Sequence, residues 1–151
     1  MTIRPAIVPD AAGICELINR YAEREAMLHR SLESAYDCLR EFHVAVEQDG
    51  RVVGCVAVDL FWADLAEIKS LAVAPERHGE GLGSQLMAAA LADARRLGVT
   101  KLFALTYQQG FFERFGFAVI DRDTLPEKVW RECIACPRFD ACDEIAMARA
   151  L

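Results

Sequence analysis

A strand, a proline, three closely spaced glycines and a helix follow one another between Ser70 and Leu86, and this succession constrains the fold more than any other feature. The glycines are Gly79, Gly81 and Gly83. Because they lack a side chain, they let backbone N–H groups converge on one point, and the following helix adds the positive end of its dipole. The stretch predicts a turn that binds a pyrophosphate; an ordinary loop before a helix is the alternative.

Two other phosphate-binding motifs do not fit this turn. A Rossmann G-x-G-x-x-G that begins at Gly79 or Gly81 lacks its third glycine, and the chain contains no G-x-x-x-x-G-K-[ST]. Neither a dinucleotide nor a nucleoside triphosphate is therefore favoured. The formal net charge of −6 also disfavours nucleic acid as a partner, although a helix start can still hold a small anion.

Hydrophobic periodicity divides the rest of the chain into alternating strands and helices. Three strands in succession between residues 42 and 74 indicate an antiparallel unit, and a long helix follows the glycine turn. The tail, residues 144–151, fits a closing strand or, given its alanines, a helix. The predicted strands are residues 2–6, 42–47, 52–61, 65–74, 101–106 and 116–121, and the predicted helices begin near residues 10, 31, 81 and 109.

The glycine turn resembles the acetyl-CoA signature of the GNAT superfamily, Q/R-x-x-G-x-G/A, with His78 in place of Gln or Arg. A second stretch, residues 111–117, resembles the F-Y-x-x-x-G-F helix that lies along the pantetheine arm. The resemblance implies that the strand and the turn bind acetyl-CoA largely through their backbone. The implied cofactor-binding residues are Leu71, Ala72, Val73, His78, Gly79, Glu80, Gly81, Leu82, Gly83, Ser84 and Phe112.

Phe112 replaces a tyrosine that often serves as general acid to the departing thiolate in this superfamily. Tyr107 is a candidate donor by its proximity in sequence, and a loop tyrosine packed on the fold is the alternative. A thiol with a pKa near 8.5 also leaves acceptably as the anion, without a donor.

Over nearly its whole length the chain resembles the short N-acetylglutamate synthases, the acetyltransferase domain of arginine biosynthesis. The resemblance implies the GNAT fold, an α+β layered fold with a mixed, mostly antiparallel central sheet flanked by helices, as a single domain over residues 1–151. It implies acetyl transfer to the α-amine of L-glutamate, with another small amine or a non-catalytic acyl-CoA or thiol sensor as alternatives. The stretches that carry it are residues 42–45, 52–55, 66–73, 101–106 and 125–130.

Acetyl transfer to an amine requires a base near the amine and a dipole on the thioester oxygen. Glu67 lies on the strand that leads to the turn, where related enzymes often place such a carboxylate; a solvated or Lys69-paired glutamate is the alternative. The backbone N–H groups of Leu71 and Val73 are the candidates for holding the thioester.

Glutamate as acceptor also requires cationic partners for its two carboxylates, since burying them unpaired costs several kcal/mol each. Arg30 and Lys69 are the candidates, Lys128 is a weaker third, and surface charges are the alternative for each.

Cys133, Cys136 and Cys142 resemble part of a metal knuckle, but a structural zinc site normally has four ligands. Asp140, Asp143 or a partner chain are candidates for the fourth ligand; free thiols remain the leading interpretation, a disulfide is a further alternative, and we assign no metal site. Cys15, Cys38 and Cys55 lie in apolar patterns and are predicted core residues.

Neither a signal peptide nor a stretch of about 20 apolar residues is evident. We therefore expect a soluble, cytoplasmic protein whose partner is a small-molecule amine and which has no nucleic-acid or membrane partner; a homodimer is compatible with the sequence.

Overall fold

The computed structural model describes residues 1–22, 30–126 and 144–151. Lys128 and the three clustered cysteines lie outside the described residues. Four short 3₁₀ turns connect some of the elements, at Val8–Asp10, Leu39–Glu41, Pro75–Arg77 and Arg122–Thr124. In chain order the strands and α-helices are β1 (Thr2–Pro5), α1 (Ala11–Ala22), α2 (Leu32–Asp37), β2 (Phe42–Val46), β3 (Val52–Trp62), β4 (Leu65–Val73), α3 (Leu82–Leu97), β5 (Lys101–Thr106), α4 (Gln109–Glu113), β6 (Ala118–Val119) and β7 (Ile145–Ala150).

Seven strands form one mixed sheet in the order β1-β2-β3-β4-β5-β7-β6. The pair β4–β5 is parallel, whereas β1–β2, β2–β3, β5–β7 and β6–β7 are antiparallel. The predicted mixed, mostly antiparallel sheet is confirmed. The chain also divides into two compact units, residues 1–59 with 68–97 and residues 60–67 with 98–151. The single domain over residues 1–151 stays a prediction.

In the first unit, α1 and α3 each bury an apolar stripe. Ile14, Leu17 and Ile18 recur at helical spacing on α1 and are at most 2% exposed. Gly54 on β3 allows α3 to pack closely, because a Cβ at this position would lie 2.8 Å from Cδ1 of Leu86. The close approach fixes α3, which follows the glycine turn, against the sheet.

An ion pair between Arg4 and the buried Asp10 precedes α1. Both carboxylate oxygens of Asp10 accept hydrogen bonds from Arg4, at 2.7 and 3.1 Å, and one also accepts from the backbone N–H of Ile7 at 2.8 Å. Burial opposes the ionisation of Asp10, but the Arg4 guanidinium and this N–H group outweigh it and hold the pKa of the carboxyl below its usual value. The charged form of Asp10 therefore stabilises the start of α1.

The second unit has its own apolar core around β5. Phe103 is fully buried among Leu65, Leu125 and Ala146, and its ring centroid lies 5.5 Å from that of Phe61. The tail is a strand, because β7 pairs with all six residues of β5, and this pairing outweighs the helix preference of its alanines. The strand predicted over residues 116–121 is shorter, Ala118–Val119. No helix in the described ranges has both the length and the apolar character needed to span a bilayer.

Candidate functional site

The glycine turn presents open backbone in front of α3. Gly79 and Gly81 have φ angles of +85° and +79°, a left-handed conformation that side chains rarely adopt. A Cβ built at either residue would meet no protein atom within 4 Å. The turn therefore combines free space with the start of a 16-residue helix, the arrangement that suits a phosphate group.

The charged side chains of this turn are engaged with the protein. Arg77 contacts the carboxylates of Glu47 and Glu80, the latter at 3.0 Å, and Glu76 pairs with Arg20 at 3.1 Å. The pairing with Arg20 lowers the pKa of Glu76. Such surface pairs are individually weak, but together they tie the turn to neighbouring elements. The backbone N–H groups of the turn are therefore the main groups with which it can hold an anion.

His78 also contacts the protein. Its Nε2 lies 3.0 Å from the carbonyl oxygen of Val73 and 2.9 Å from the hydroxyl of Tyr21, and the Tyr21 hydroxyl donates to the same carbonyl. Tyr21 lies near the end of α1, and no motif in the sequence marks it as a site residue.

Strand β4 is irregular at Ser70, which has a φ of +54° and is the only described residue other than glycine with a positive φ. This conformation costs free energy for a side chain and often occurs at functional sites. The Ser70 carbonyl accepts a hydrogen bond from the buried thiol of Cys55 at 3.3 Å, and burial raises the pKa of that thiol to about 12. No glycine, asparagine or aspartate signalled this irregularity in the sequence.

The backbone of β4 beyond Ser70 alternates its N–H groups. The Ala74 N–H donates to the Val53 carbonyl of β3 at 2.8 Å, and the backbone of Ala72 faces the Cys55 side chain, also on β3. By this alternation the N–H groups of Leu71 and Val73, the predicted thioester contacts, point away from β3.

Arg30 is held at both its backbone and its guanidinium. Its N–H donates to Oδ1 of Asn19, and Nδ2 of Asn19 donates to its carbonyl, both at 2.9 Å. The guanidinium lies 3.0 Å from Oγ of Ser34 and 3.5 Å from Oγ of Ser70, and 5.5 Å from the centroid of the Phe42 ring. A fixed cation therefore lies beside the irregular residue of β4.

Lys69 forms an ion pair with Asp59 at 2.7 Å, and its side chain is 10% exposed. Glu67 precedes it by two residues on β4 and is 8% exposed. In the second unit Glu67 lies opposite Phe103 of β5. The Glu67 carboxylate is therefore as buried as we expect for a catalytic base. The positive charge of Lys69 is balanced by Asp59.

Tyr107 and Phe112 also belong to the second unit. Tyr107 directly follows β5 and is 38% exposed. Phe112 is 5% exposed and packs edge-on against Phe117, with ring centroids 5.2 Å apart. Its ring therefore contributes to the core of this unit. Within the described ranges no three His, Cys, Asp or Glu side chains are grouped closely enough to hold a metal ion.

Residues 11–117 match the acetyltransferase (GNAT) family. An uncharacterised N-acetyltransferase of Chlorobaculum tepidum is 41% identical over 149 residues, which cover 99% of this chain and 96% of that protein. An amino-acid acetyltransferase of Mycobacterium tuberculosis is 35% identical, over 91% of this chain and 79% of that protein.

Solved structures agree with these sequence relationships. The M. tuberculosis protein Rv2747, in complex with CoA and NLQ, superposes with a TM-score of 0.85 and 30% identity over 100% of this chain and 99% of that chain. N-acetylglutamate synthase of Neisseria gonorrhoeae, in complex with coenzyme A and N-acetyl-glutamate, superposes with a TM-score of 0.88 and 32% identity over 99% of this chain and 35% of that chain. The predicted fold and enzyme class are confirmed: the chain belongs to the acetyltransferase (GNAT) family.

Proposed function

We propose that this protein transfers the acetyl group of acetyl-CoA to the α-amine of L-glutamate. The observation that carries the proposal is the superposition of 99% of the chain on an N-acetylglutamate synthase that holds coenzyme A and N-acetyl-glutamate. The chain spans about a third of that protein, so the proposal concerns the acetyl-transfer step alone.

Acetyl-CoA as co-substrate is supported by the CoA present in both solved relatives. We place its pyrophosphate at the glycine turn, where the left-handed backbone of Gly79 and Gly81 faces open space before α3. We place the thioester oxygen at the N–H groups of Leu71 and Val73, because both point away from β3.

The acceptor carries two carboxylates, and Arg30 is the proposed contact for one of them. Its guanidinium has five N–H donors in a planar fork that matches a carboxylate, and two serine hydroxyls and the Phe42 ring hold it in place. Lys69 is the proposed second contact, but its charge is balanced by Asp59. The acceptor would have to share Lys69 with that carboxylate, so Arg30 is the better supported contact.

In the proposed reaction, Glu67 accepts a proton from the substrate ammonium, directly or through a water molecule. The neutral amine attacks the thioester carbon, and a C–N bond forms while the negative charge on oxygen is held by the two N–H groups of β4. The C–S bond then breaks as the nitrogen releases its second proton to solvent, and CoA departs as a thiolate that takes a proton from Tyr107 or from solvent. Glu67 returns its proton to solvent, and Tyr107, where it was the donor, regains one from solvent. The products are N-acetylglutamate and CoA.

The Lys69–Asp59 pair favours a second candidate, acetylation of a small amine that carries one carboxylate. Such an acceptor needs a single cation, which Arg30 supplies without disturbing that ion pair. This candidate changes the acceptor and leaves the acetyl-CoA chemistry unchanged.

A steady-state screen separates these functions. Release of the CoA thiol is measured with acetyl-CoA and, in turn, glutamate, glutamine, aspartate, alanine and a simple alkylamine, and the acetylated product is identified by mass spectrometry. Turnover with glutamate well above the others supports the proposal. Turnover mainly with alanine or glutamine supports the second candidate, and acetyl-CoA binding without turnover on any amine contradicts both.

A further inference from the structure

A triangle of hydrogen bonds closes the junction between β4 and the glycine turn. Its corners are the carbonyl oxygen of Val73, the hydroxyl of Tyr21 and Nε2 of His78, and His78 lies 3.0 Å from the carbonyl and 2.9 Å from the hydroxyl. Tyr21 comes from α1, 52 residues before Val73, so the triangle joins separate elements of the first unit.

The chemistry of the three groups fixes the direction of the hydrogen bonds. A carbonyl oxygen only accepts, so Tyr21 must donate its hydroxyl proton to Val73. Nε2 of His78 must carry a proton as well, since it faces the same acceptor at 3.0 Å. The N–H group of His78 is then shared between the Val73 carbonyl and the Tyr21 oxygen. Both lone pairs of the Val73 carbonyl oxygen accept a hydrogen bond.

The peptide that follows Val73 is thereby held at both ends. Its oxygen accepts hydrogen bonds from Tyr21 and His78. Its N–H group, which belongs to Ala74, donates to the Val53 carbonyl at 2.8 Å. Pro75 comes next and begins the turn. The orientation of this one peptide therefore sets the direction in which the chain enters the pyrophosphate turn.

We propose that Tyr21 and His78 are positioning residues that preorganise the glycine turn for acetyl-CoA by clamping the Val73 carbonyl. In this chain the histidine that replaces the Gln or Arg of the signature acts on the protein backbone and not on the phosphates. Preorganisation lowers the cost of ordering the turn when the ligand binds, so the clamp strengthens acetyl-CoA binding without touching the reacting atoms. The inference rests on the proposed place of acetyl-CoA at this turn.

Removal of the Tyr21 hydroxyl tests the clamp without changing the size of the side chain. Tyr21→Phe should raise both the KM for acetyl-CoA and the dissociation constant of CoA about three- to tenfold, the usual effect of one hydrogen bond, and should leave kcat within about twofold of wild type. Tyr36→Phe is the matched control, because Tyr36 is an exposed tyrosine on α2. Its values should equal those of the wild-type protein.

A double-mutant cycle separates the clamp from direct phosphate binding by His78. The clamp predicts that Tyr21→Phe and His78→Ala together weaken CoA binding by less than the product of their single effects, because both act on one carbonyl. Fully multiplicative effects, or a loss in His78→Ala with none in Tyr21→Phe, would overturn the proposal. A lower melting temperature of Tyr21→Phe with unchanged CoA affinity would also overturn it. Gly81→Val tests the place of the ligand separately, since unchanged CoA affinity in that variant contradicts the site itself.

Discussion

Substitution of Gly81 by valine tests the turn most sharply, because the chain contains a matched control. Gly81 and Gly50 have φ angles of +79° and +88°, and a Cβ at either would meet no protein atom within 4 Å. Valine at either position therefore carries the cost of a left-handed residue, about 1–2 kcal/mol or more, without a steric clash inside the protein. Only Gly81 belongs to the turn that we assign to the pyrophosphate.

We expect both variants to lose similar stability, with melting temperatures lower by about 2–4 °C for each kcal/mol. Gly81→Val should in addition weaken CoA binding at least tenfold, or about 1.4 kcal/mol, because its side chain enters the space left for the phosphates. Isothermal titration of CoA and thermal melting measure the two effects. Undiminished CoA affinity in folded Gly81→Val, or an equal loss in Gly50→Val, would refute the assignment.

Three further predictions follow from buried groups. Glu67→Gln should lower turnover about 10²–10⁴-fold without changing the KM for acetyl-CoA, and a variant that keeps more than about a third of wild-type activity would show that Glu67 is structural. Asp10→Asn should destabilise the protein by about 1–3 kcal/mol at neutral pH. The folded pKa of Asp10 is depressed, so the stabilisation by its carboxylate is present above the usual pKa near 3.9 and is lost as the pH falls through the lower folded value. Melting curves should therefore show that acid lowers the stability of the variant less than that of the wild-type protein. Equal losses of stability in the two proteins would contradict this prediction. Cys55, whose pKa is raised to about 12, should react with alkylating reagents more slowly than Cys38 in the native protein, and equal labelling rates in peptide mass spectra would contradict its burial.

Hydrophobic periodicity predicted the elements well where local pattern and burial agree. The apolar spacing of α1 corresponds to the face that this helix buries, and the apolar residues of β2 are all buried, with only His43 partly exposed. The Ser31 helix start is confirmed too, since its side chain accepts from the N–H of Ser34. For the tail, the choice between strand and helix depended on the long-range partner β5, which local composition does not contain.

The part of the candidate site that glycines identify as a turn could be predicted from the sequence. The parts that depend on contacts between distant side chains could not. The left-handed turn was evident from Gly79 and Gly81. The positive φ of Ser70 was not, because serine carries no local signal for it. The contact of Tyr21 with the Val73 carbonyl likewise depends on where the fold places α1 relative to Val73, which spacing along the chain does not encode.

The most direct test of glutamate acetylation compares kcat/KM for L-glutamate in wild type, Arg30→Gln and Arg95→Gln. Arg95 is exposed on α3, so its substitution removes the same charge away from the proposed acceptor site. A charge-assisted hydrogen bond is worth about 1.5–3 kcal/mol, so Arg30→Gln should lower kcat/KM for glutamate about 10- to 100-fold, with the KM for acetyl-CoA unchanged and Arg95→Gln like wild type. Absence of N-acetylglutamate with the wild-type protein, or full glutamate activity in Arg30→Gln, would contradict the account.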